Sequence, residues 1–438
     1  MKKLFKGLAC VMSVAAVMAF AACGSNPGSS LGTPPTVTPL SYQERKDAAF
    51  DDLKSSAELF ASQFTAAVNR TNAPGTNYAV SPVSAYMALA MSAVCAAGET
   101  RSELLSALNV TYPVLKEQFA QFYRSIIAEH KTYEGTVTGR VDLSNSIWVD
   151  KSMQPKEACI QTLADKYLCY SFSEDFYNDN AKANRDIRNF VKEKTRGLID
   201  QEYQLSKETL FALINTLYLK DMWNGSGKDL SFTDKEYDFT QSDGTVKILY
   251  YLQDGYRPGR ICETETFTHF YTQTFNGYKL KFILPQEGYT VDDVFTEENL
   301  AAVNALTDYK PVDNTNRIEY YTRCLFPEFG AEYNKDVKPL LKSEFGVQKF
   351  FLPAQCDFSS LTDDEAFCAK VQHVTKLTVD KTGVEGAAVT IVANEATSAG
   401  PDDPYIKVYE DFIVNGAFGF ILTDRYGMTL FSGVINQI

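Results

Sequence analysis

Apolar residues recur every three to four positions along the first part of the chain, which is the spacing of one face of an α-helix. Phe60 and Phe64 belong to the first such run. In the second run, Ser81 can cap a helix and Pro82 stands at its first position, where a missing N–H does no harm. The predicted helical segments are 41–68, 81–108, 113–130 and 184–194.

Later in the chain the pattern changes to short runs rich in β-branched and aromatic residues, which predict strands. The predicted strands are 210–219, 278–284, 318–326, 369–379, 418–423 and 428–434. Helices come first and strands follow, without regular alternation of the two. This order favours an α+β fold over a doubly wound parallel sheet.

The first 22 residues have the pattern of a secretory signal peptide. Lys2, Lys3 and Lys6 precede an apolar run that is too short to span a membrane as a stable helix, and two alanines follow it. Cys23 comes directly after those alanines and resembles the acylated cysteine of a bacterial lipobox. We expect an exported bacterial lipoprotein, held in the outer membrane on its periplasmic or its cell-surface face. The alternative is simple cleavage and release.

Residues 23–40 are mostly Gly, Ser, Pro and Thr. Such a stretch buries little apolar surface, so it predicts a flexible tether, with one folded domain over 41–438. The formal net charge of the whole chain is -13 at pH 7. An acidic protein lacks the Lys and Arg clusters that replace counterions on a phosphate backbone, so a nucleic-acid partner is not expected.

The cysteines do not form the pattern of a disulfide scaffold. Cys10 lies in the predicted signal peptide and Cys23 is the predicted lipid site, which leaves an odd number without any Cys-x-x-Cys pair. One bridge, for instance between Cys159 and Cys169, stays open as an alternative. The remaining cysteines are Cys95, Cys159, Cys169, Cys262, Cys324, Cys356 and Cys368.

The sequence gives no support for an ordinary active site. Its three histidines, His130, His269 and His373, are far apart and have no zinc-binding spacing. Neither a Gly-x-Ser-x-Gly elbow nor a phosphate-binding glycine-rich loop occurs. The acidic run 363–365 lacks the alternating ligands of a calcium loop and is typical of a solvated turn. We expect neither a catalytic function nor a cofactor or metal.

The segment 383–400 consists of small and β-branched residues with only two charges, Glu385 and Glu395. Read with a period of two, both glutamates fall on one face, and the other face holds nothing larger than Val until Asn394. The segment could therefore serve both as an exposed loop and as an inserted strand. Taken alone, it is more typical of an edge strand followed by a loop.

Motifs along the rest of the chain favour the first interpretation, because together they resemble the serpin family. They are S-P-V-S at 81–84, G-E-T at 98–100, S-N-S-I-W-V at 144–149, T-R-G-L-I at 195–199, I-N-T-L-Y-L-K at 214–220 followed by Trp223, F-I-L-P at 282–285, F-P-E-F at 326–329, D-F-S at 357–359, F-G-F-I at 418–421 and L-F-S-G-V at 430–434. The resemblance covers roughly residues 45–438 and keeps the family's order.

The resemblance implies a serpin fold, in which N-terminal helices pack on a large central mixed β-sheet with further sheets and an exposed reactive loop over about 381–411. It places a buried polar cluster, the shutter, beneath the sheet, and counting from Gly383 puts the reactive bond at Thr397–Ser398. The shutter residues are Ser81, Ser84, Asn215 and His373. The hinge residues are Gly383, Val384, Glu385, Gly386, Ala387 and Ala388.

The sequence also departs from the family's pattern. Lys381 stands where inhibitory serpins usually have Glu, and Val384 where they have Thr or Ser. Ala417 and Gln437 replace two prolines of the closing strands, and the loop runs on through 405–409. The longer loop shifts the expected reactive bond by up to several residues.

The expected function is inhibition of a serine protease, or of a cysteine protease, by loop cleavage, acyl-enzyme trapping and strand insertion. Small residues around Thr397 favour elastase-like or subtilisin-like targets over trypsin-like ones. Val384 is expected to face solvent until the loop inserts, and the protein is expected to be a monomer. The alternatives are a non-inhibitory serpin that acts as a carrier or chaperone, and a ligand-binding surface lipoprotein.

Overall fold

Helices dominate the first half of the chain and strands the second, as the periodicity predicts. The computed structural model describes residues 29–32, 35–223, 229–306, 309–368, 370–384 and 405–438. The helices in this part of the chain are α1 (Tyr42–Asp47), α2 (Asp51–Thr71), α3 (Pro82–Cys95), α4 (Gly98–Ala107), α5 (Tyr112–Ile126), α6 (Glu157–Tyr167), α7 (Asn180–Lys194), α8 (Val291–Val294), α9 (Glu297–Ala305) and α10 (Lys338–Glu344).

Two of the predicted helical segments are each divided into two helices. Ala48 has an extended backbone, which separates α1 from α2. Between α3 and α4, Ala96 and Ala97 are extended and Gly98 has a φ of +52°. A side chain at Gly98 would be strained in this left-handed conformation, so glycine allows the chain to turn here.

The central sheet contains eight strands among the described residues, in the order β1-β5-β4-β6-β17-β16-β15, with β3 paired to β4. It is mixed, because β4 and β5 run parallel while β4 and β6 run antiparallel. Its strands are β1 (Ser29–Ser30), β3 (Ala128–Lys131), β4 (Val137–Asp150), β5 (Cys169–Glu174), β6 (Phe211–Met222), β15 (Phe329–Asp336), β16 (Gln372–Val379) and β17 (Gly383–Val384).

Two smaller sheets complete the architecture. The second sheet has the order β10-β11-β12-β19-β20-β2, and in the third β14 pairs with β13, β8, β9 and β18, while β7 pairs with β8. The strands are β2 (Tyr78–Val80), β7 (Ser231–Thr240), β8 (Val246–Gln253), β9 (Arg257–Pro258), β10 (Cys262–Glu263), β11 (Phe267–Gln273), β12 (Lys279–Pro285), β13 (Val312–Asp313), β14 (Ile318–Phe326), β18 (Ile406–Ile413), β19 (Phe418–Thr423) and β20 (Thr429–Ile435). The predicted α+β class is confirmed.

Helix α3 positions the candidate site. Almost every residue of it is buried, since it is apolar on all sides and packs between β6 of the central sheet and β20 of the second sheet. The Ser81 side chain accepts a hydrogen bond from the Ser84 N–H at 3.4 Å, as predicted for its N-cap. The N-terminus of α3 therefore lies directly beneath the central sheet.

Part of the predicted tether is packed against the domain. Ser29 and Ser30 pair with β5 at the edge of the central sheet. Leu40 is buried, and Arg124 of α5 donates a hydrogen bond to the Thr38 carbonyl oxygen at 2.9 Å. Backbone pairing and one buried leucine thus hold some residues ahead of Ser41 against the domain.

Candidate functional site

The structure brings together the four residues predicted for the polar cluster beneath the sheet. The Ser81 N–H donates to His373 Nε2 at 3.2 Å, and the Ser84 hydroxyl donates to the Asn215 carbonyl oxygen. Asn215 in turn donates to Asn145 Oδ1 at 2.7 Å. The network thus joins the start of α3 to strands β4, β6 and β16, which belong to both halves of the central sheet.

Asn145 is a member of this cluster that the sequence did not reveal. It is fully buried and faces Asn215 directly in the antiparallel register of β4 and β6. Its amide nitrogen also donates to the Tyr167 carbonyl oxygen at 2.8 Å, so the network extends to the end of α6. Its signal in the sequence was an Asn inside a strand motif.

His373 is neutral in this environment. Burial lowers its pKa from 6.5 to about 4, because the charged form would be desolvated. Its Nε2 accepts the Ser81 N–H, so the ring proton is on Nδ1. The ring packs edge-on against Phe64, with centroids 5.6 Å apart. His373 therefore acts as a hydrogen-bond acceptor that ties β16 to α3.

Next to this cluster, two strands of the central sheet have edges that no strand within the described residues pairs. Strand β17 separates β6 from β16 at one end, where Gly383 pairs with Met222, and Val384 pairs with both Asp221 and Val379. Over 211–220 of β6 and 372–378 of β16, no strand within the described residues pairs with the edges that these two strands turn toward each other. These unpaired edges continue the line of β17.

A cavity of about 380 Å³ occupies the far end of this gap. Residues 211–216 of β6 form one wall and residues 371–374 form the other. Ser84, Ala85 and Ala88 of α3 contribute to its lining. The small side chains of α3 therefore leave space beneath the sheet, beside the polar cluster.

Two polar side-chain atoms that border the cavity are buried without a hydrogen-bond partner among the described residues. They are Thr216 Oγ1 on β6 and Gln372 Oε1 on β16. A buried polar atom without a partner costs about 1–3 kcal/mol. Each wall of the gap therefore has a buried polar atom that an inserted segment could hydrogen-bond.

Val384 is already inside the sheet. Its side chain is fully buried, with 0% exposure, so the expectation that it faces solvent in the uncut protein is wrong. The reason is tertiary: Val384 has strand partners on both sides, Asp221 of β6 and Val379 of β16. Its apolar side chain suits this position better than the hydroxyl of Thr or Ser.

Gly383 is required by the close approach of β6. A Cβ atom at this position would lie 2.1 Å from the Asp221 carbonyl oxygen, far inside van der Waals contact. The turn that leads to Gly383 is held by Trp223, whose indole N–H donates to the Asp380 carbonyl oxygen at 2.6 Å. The start of the hinge is thus fixed at one defined place in the sheet.

Lys381 has partners of its own, which explains how it replaces the family's Glu. Its ammonium group lies 3.0 Å from the Asp229 carboxylate, and its backbone N–H donates to Glu328 Oε1 at 2.9 Å. The hydrogen bond and charge of Asp229 raise the pKa of Lys381. A positive charge therefore takes part in an ion pair here instead of opposing the fold.

Asp221 is a second functional candidate that the sequence did not reveal. It is buried against Gly139, and it accepts a hydrogen bond from the Asn276 backbone N–H at 3.2 Å. Desolvation raises its pKa from 3.8 to about 6, although the hydrogen bonds from Asn276 favour the charged form. Its backbone pairs with Val384. A titratable carboxyl thus lies directly beside the hinge.

Several predicted site residues lie outside the described part of the chain. They are the lipid site Cys23, the reactive-bond residues Thr397 and Ser398, and the hinge residues Glu385, Gly386, Ala387 and Ala388.

The seven cysteines that the structure describes are all free thiols, including Cys159 and Cys169, so the bridge between these two is not formed. Cys159 instead lies beside Cys95 of α3, and its thiol is the hydrogen-bond partner that raises the Cys95 pKa most.

In the described ranges, no group of three His, Cys, Asp or Glu side chains is arranged to hold a metal ion. Among the described helices, none has both the length and the apolar character that a membrane span needs.

Comparison with known proteins agrees with this architecture. Residues 55–438 match the family described as Serpin (serine protease inhibitor). The chain belongs to the serpin family.

Its relatives include both inhibitors and carriers. The chain is 27% identical over 364 residues to corticosteroid-binding globulin of Ovis aries, covering 79% of each protein. It is 24% identical over 353 residues to alpha-1-antiproteinase of Callosciurus caniceps, covering 78% of this chain and 82% of that protein. Family membership therefore relates the chain to protease inhibitors, without deciding between inhibition and transport.

Solved structures confirm the fold. The native state of tengpin, a thermophilic serpin, superposes with a TM-score of 0.70 at 24% identity and covers 94% of this chain and 99% of that one. Human thyroxine-binding globulin superposes with a TM-score of 0.68 at 20% identity and covers 88% of this chain and 99% of that one.

Proposed function

We propose that this serpin inhibits serine proteases by loop cleavage, covalent trapping and strand insertion. The observation that carries the proposal is the gap between β6 and β16, where no described strand pairs with the facing edges of these two strands. The gap begins next to Val384, the last described residue of β17. Ten residues of β6 face this gap over 211–220, which corresponds to about 33 Å of strand. The segment that follows Val384 has the composition to fill it.

The chemistry belongs to the protease. Its serine hydroxyl attacks the Thr397 carbonyl carbon, the bond to the Ser398 nitrogen breaks, and Thr397 remains as an ester on the protease. Insertion from Val384 onward would then carry the esterified protease along the sheet and distort its oxyanion hole before water can hydrolyse the ester. The serpin supplies free energy: each inserted residue brings backbone groups to the unpaired edges of β6 and β16.

Val384 also predicts which side of an inserted segment would be buried. Because side chains alternate along a strand, residues 386 and 388 would share the buried face of Val384, while 385 and 387 would lie on the opposite face. The sequence fits this assignment, since Gly386 and Ala388 are small and Glu385 is charged. The alternation provides a matched pair of variants.

Ala388→Arg should convert the inhibitor into a substrate. An arginine on the buried face would place an unpaired charge inside the sheet, at a penalty of several kcal/mol, and insertion should then lose to deacylation. Ala387→Arg carries the same charge on the opposite face and should retain trapping. We would measure the SDS-stable adduct with pancreatic elastase and with subtilisin, and expect at least a tenfold loss of adduct for Ala388→Arg alone.

Equal adduct yields from both variants would contradict strand insertion. Absence of any adduct with the wild type, together with a bound small ligand, would favour the carrier function of relatives such as corticosteroid-binding globulin. The mass of the released C-terminal peptide identifies the reactive bond. A peptide that begins at Val408, with inhibition limited to trypsin-like enzymes, would place the bond after Lys407 and contradict Thr397–Ser398.

We further propose that Cys23 carries a lipid that anchors the protein in the outer membrane of a bacterium. The support is the basic, apolar and small-residue order of the first 22 residues. Two or more acyl chains give nearly permanent anchoring, whereas a single chain does not. The wild type should fractionate with membranes and require detergent for release, and Cys23→Ser should not. A Cys23→Ser protein that stays bound to membranes would contradict the proposal.

A further inference from the structure

Three tyrosines form an exposed aromatic cluster on the outer face of the third sheet. Tyr321 of β14 and Tyr409 of β18 face each other in the parallel register, and their rings stack with centroids 5.4 Å apart. Tyr256 packs edge-on against Tyr409 at 5.2 Å. Tyr409 is 58% exposed and Tyr256 42% exposed, so the rings present a continuous surface to solvent.

Charged neighbours hold this cluster in place. Arg323 binds both carboxylate oxygens of Asp411, at 2.9 and 2.8 Å, and its guanidinium lies 4.8 Å from the centre of the Tyr256 ring. The Tyr256 hydroxyl donates to the same carboxylate at 2.8 Å. The tyrosines are therefore oriented before any partner arrives, and the charges beside them compensate each other. The surface is aromatic and nearly neutral on an otherwise acidic protein.

The length of chain between the reactive bond and β18 indicates which partner can contact this surface. Only seven residues, 399–405, lie between Ser398 and Ile406, the first residue of β18. These eight Cα–Cα steps put the reactive bond at most about 28 Å along the chain from the strand that carries Tyr409. A protease of about 230 residues has a radius of gyration of about 17 Å and is about 45 Å across. A protease that holds Thr397–Ser398 in its active site is therefore large enough to reach this strand.

Residues 406–411, which the expected loop of about 381–411 included, belong to strand β18 because they pair with β14. We propose that Tyr256, Tyr321 and Tyr409 form a docking surface for the attacking protease on the third sheet, apart from the reactive bond. Oriented tyrosines lose little conformational entropy on binding and are enriched among the residues that dominate interface energies. The complementary patch on the protease is apolar and near-neutral, because the tyrosine cluster offers rings and no net charge. This inference rests on the proposed function, since it requires a protease to approach the loop.

The test is Tyr409→Ser, which removes the most exposed ring, compared with Tyr409→Phe, which keeps it. Tyr177→Ser is the matched control, because Tyr177 is 67% exposed and lies between β5 and α7, outside the third sheet. The probes are pancreatic elastase and subtilisin, and the measured quantities are the rate constant of loop cleavage or protease inactivation and the fraction trapped as adduct. Tyr409→Ser should react about tenfold more slowly with at least one probe, at an unchanged trapped fraction, while the other two variants react at the wild-type rate.

The tenfold effect should persist from low to high salt, since screening weakens charge attraction and leaves ring contacts intact. Reaction rates that are equal for all variants would overturn the docking surface while leaving inhibition standing. Cleavage without adduct in the wild type would refute inhibition, and a slower cleavage of Tyr409→Ser would still support docking. Dimers that sediment in the wild type and are lost in Tyr409→Ser would assign the surface to a second copy and overturn the proposal.

Discussion

A buried carboxyl group at the edge of the hinge is expected to link this protein's stability to pH. Asp221 directly follows the motif at 214–220, and its side chain fits because Gly139 on the neighbouring strand has no side chain. Its carboxylate is buried with Asn276 as its donor. An ionised group in this place costs free energy, because burial removes the water that would solvate it.

The sign of the pH effect follows from the raised pKa. Burial raises the pKa of Asp221 from its ordinary 3.8 to about 6 in the folded protein, so the folded state binds the proton more tightly than the unfolded chain. This group therefore destabilises the fold above pH 6 by up to about 3 kcal/mol, and the penalty disappears as the pH falls below the folded pKa toward 4. Asp221→Asn should melt at a higher temperature than the wild type at pH 8, and the difference should shrink toward pH 4.

Comparing the two proteins at each pH isolates Asp221, because the other buried carboxylates, such as Asp424 with its pKa also raised to about 6, are common to both. Melting followed by circular dichroism in buffers from pH 4 to pH 8 provides the curves. A difference in melting temperature that does not change from pH 4 to pH 8 would show that the pKa of Asp221 in the folded protein is not raised to about 6.

At the scale of elements, periodicity predicted the strands β6, β12, β14, β16, β19 and β20 and the helices α2, α3, α5 and α7 close to their positions. It did not separate α1 from α2 or α3 from α4. Those breaks depend on short extended segments, at Ala48 and at Ala96–Ala97, whose residues are themselves good helix formers. Local preference is overridden there by tertiary packing.

The polar cluster shows a different limit of sequence reasoning. The family resemblance predicted the four members Ser81, Ser84, Asn215 and His373. Without the resemblance, the sequence would have indicated only an ordinary core histidine at position 373. Asn145 could not be found in this way, because its role depends on the register that sets it opposite Asn215. A one-residue shift of β4 would turn its side chain to the other face of the sheet.

The buried hinge could not be predicted for a similar reason. The period of two in the segment 383–400 shows that it can form a strand, but not how much of it already does so. The burial of Val384 depends on two partners, Asp221 and Val379, that come from distant parts of the chain. An arginine at Val384 would consequently destabilise the uncut fold itself. Variants at positions 387 and 388, which follow the buried start of the hinge, are therefore better tests of strand insertion.

At the scale of the whole molecule, the proposed mechanism requires the central sheet to store free energy. About ten residues of β6 lie along an edge that no described strand covers, and a cavity of about 380 Å³ adjoins them. A loop segment inserted there would pair two edges, satisfy backbone groups and fill the cavity. Under the proposed mechanism, this inserted arrangement is the more stable one, and cutting the loop allows the chain to reach it.

Cutting the reactive loop should therefore raise the melting temperature sharply. An inserted strand would add roughly ten backbone hydrogen bonds at about 1 kcal/mol each, and about 2 °C per kcal/mol for a protein of this size gives a rise of roughly 20 °C. Calorimetry before and after limited proteolysis between Thr397 and Ser398 measures this rise directly. The Ala388→Arg variant is the control. Its melting temperature should rise much less on cutting, because the buried charge prevents insertion of the loop. A wild type that melts at the same temperature before and after cutting would mean that the gap between β6 and β16 does not receive the loop.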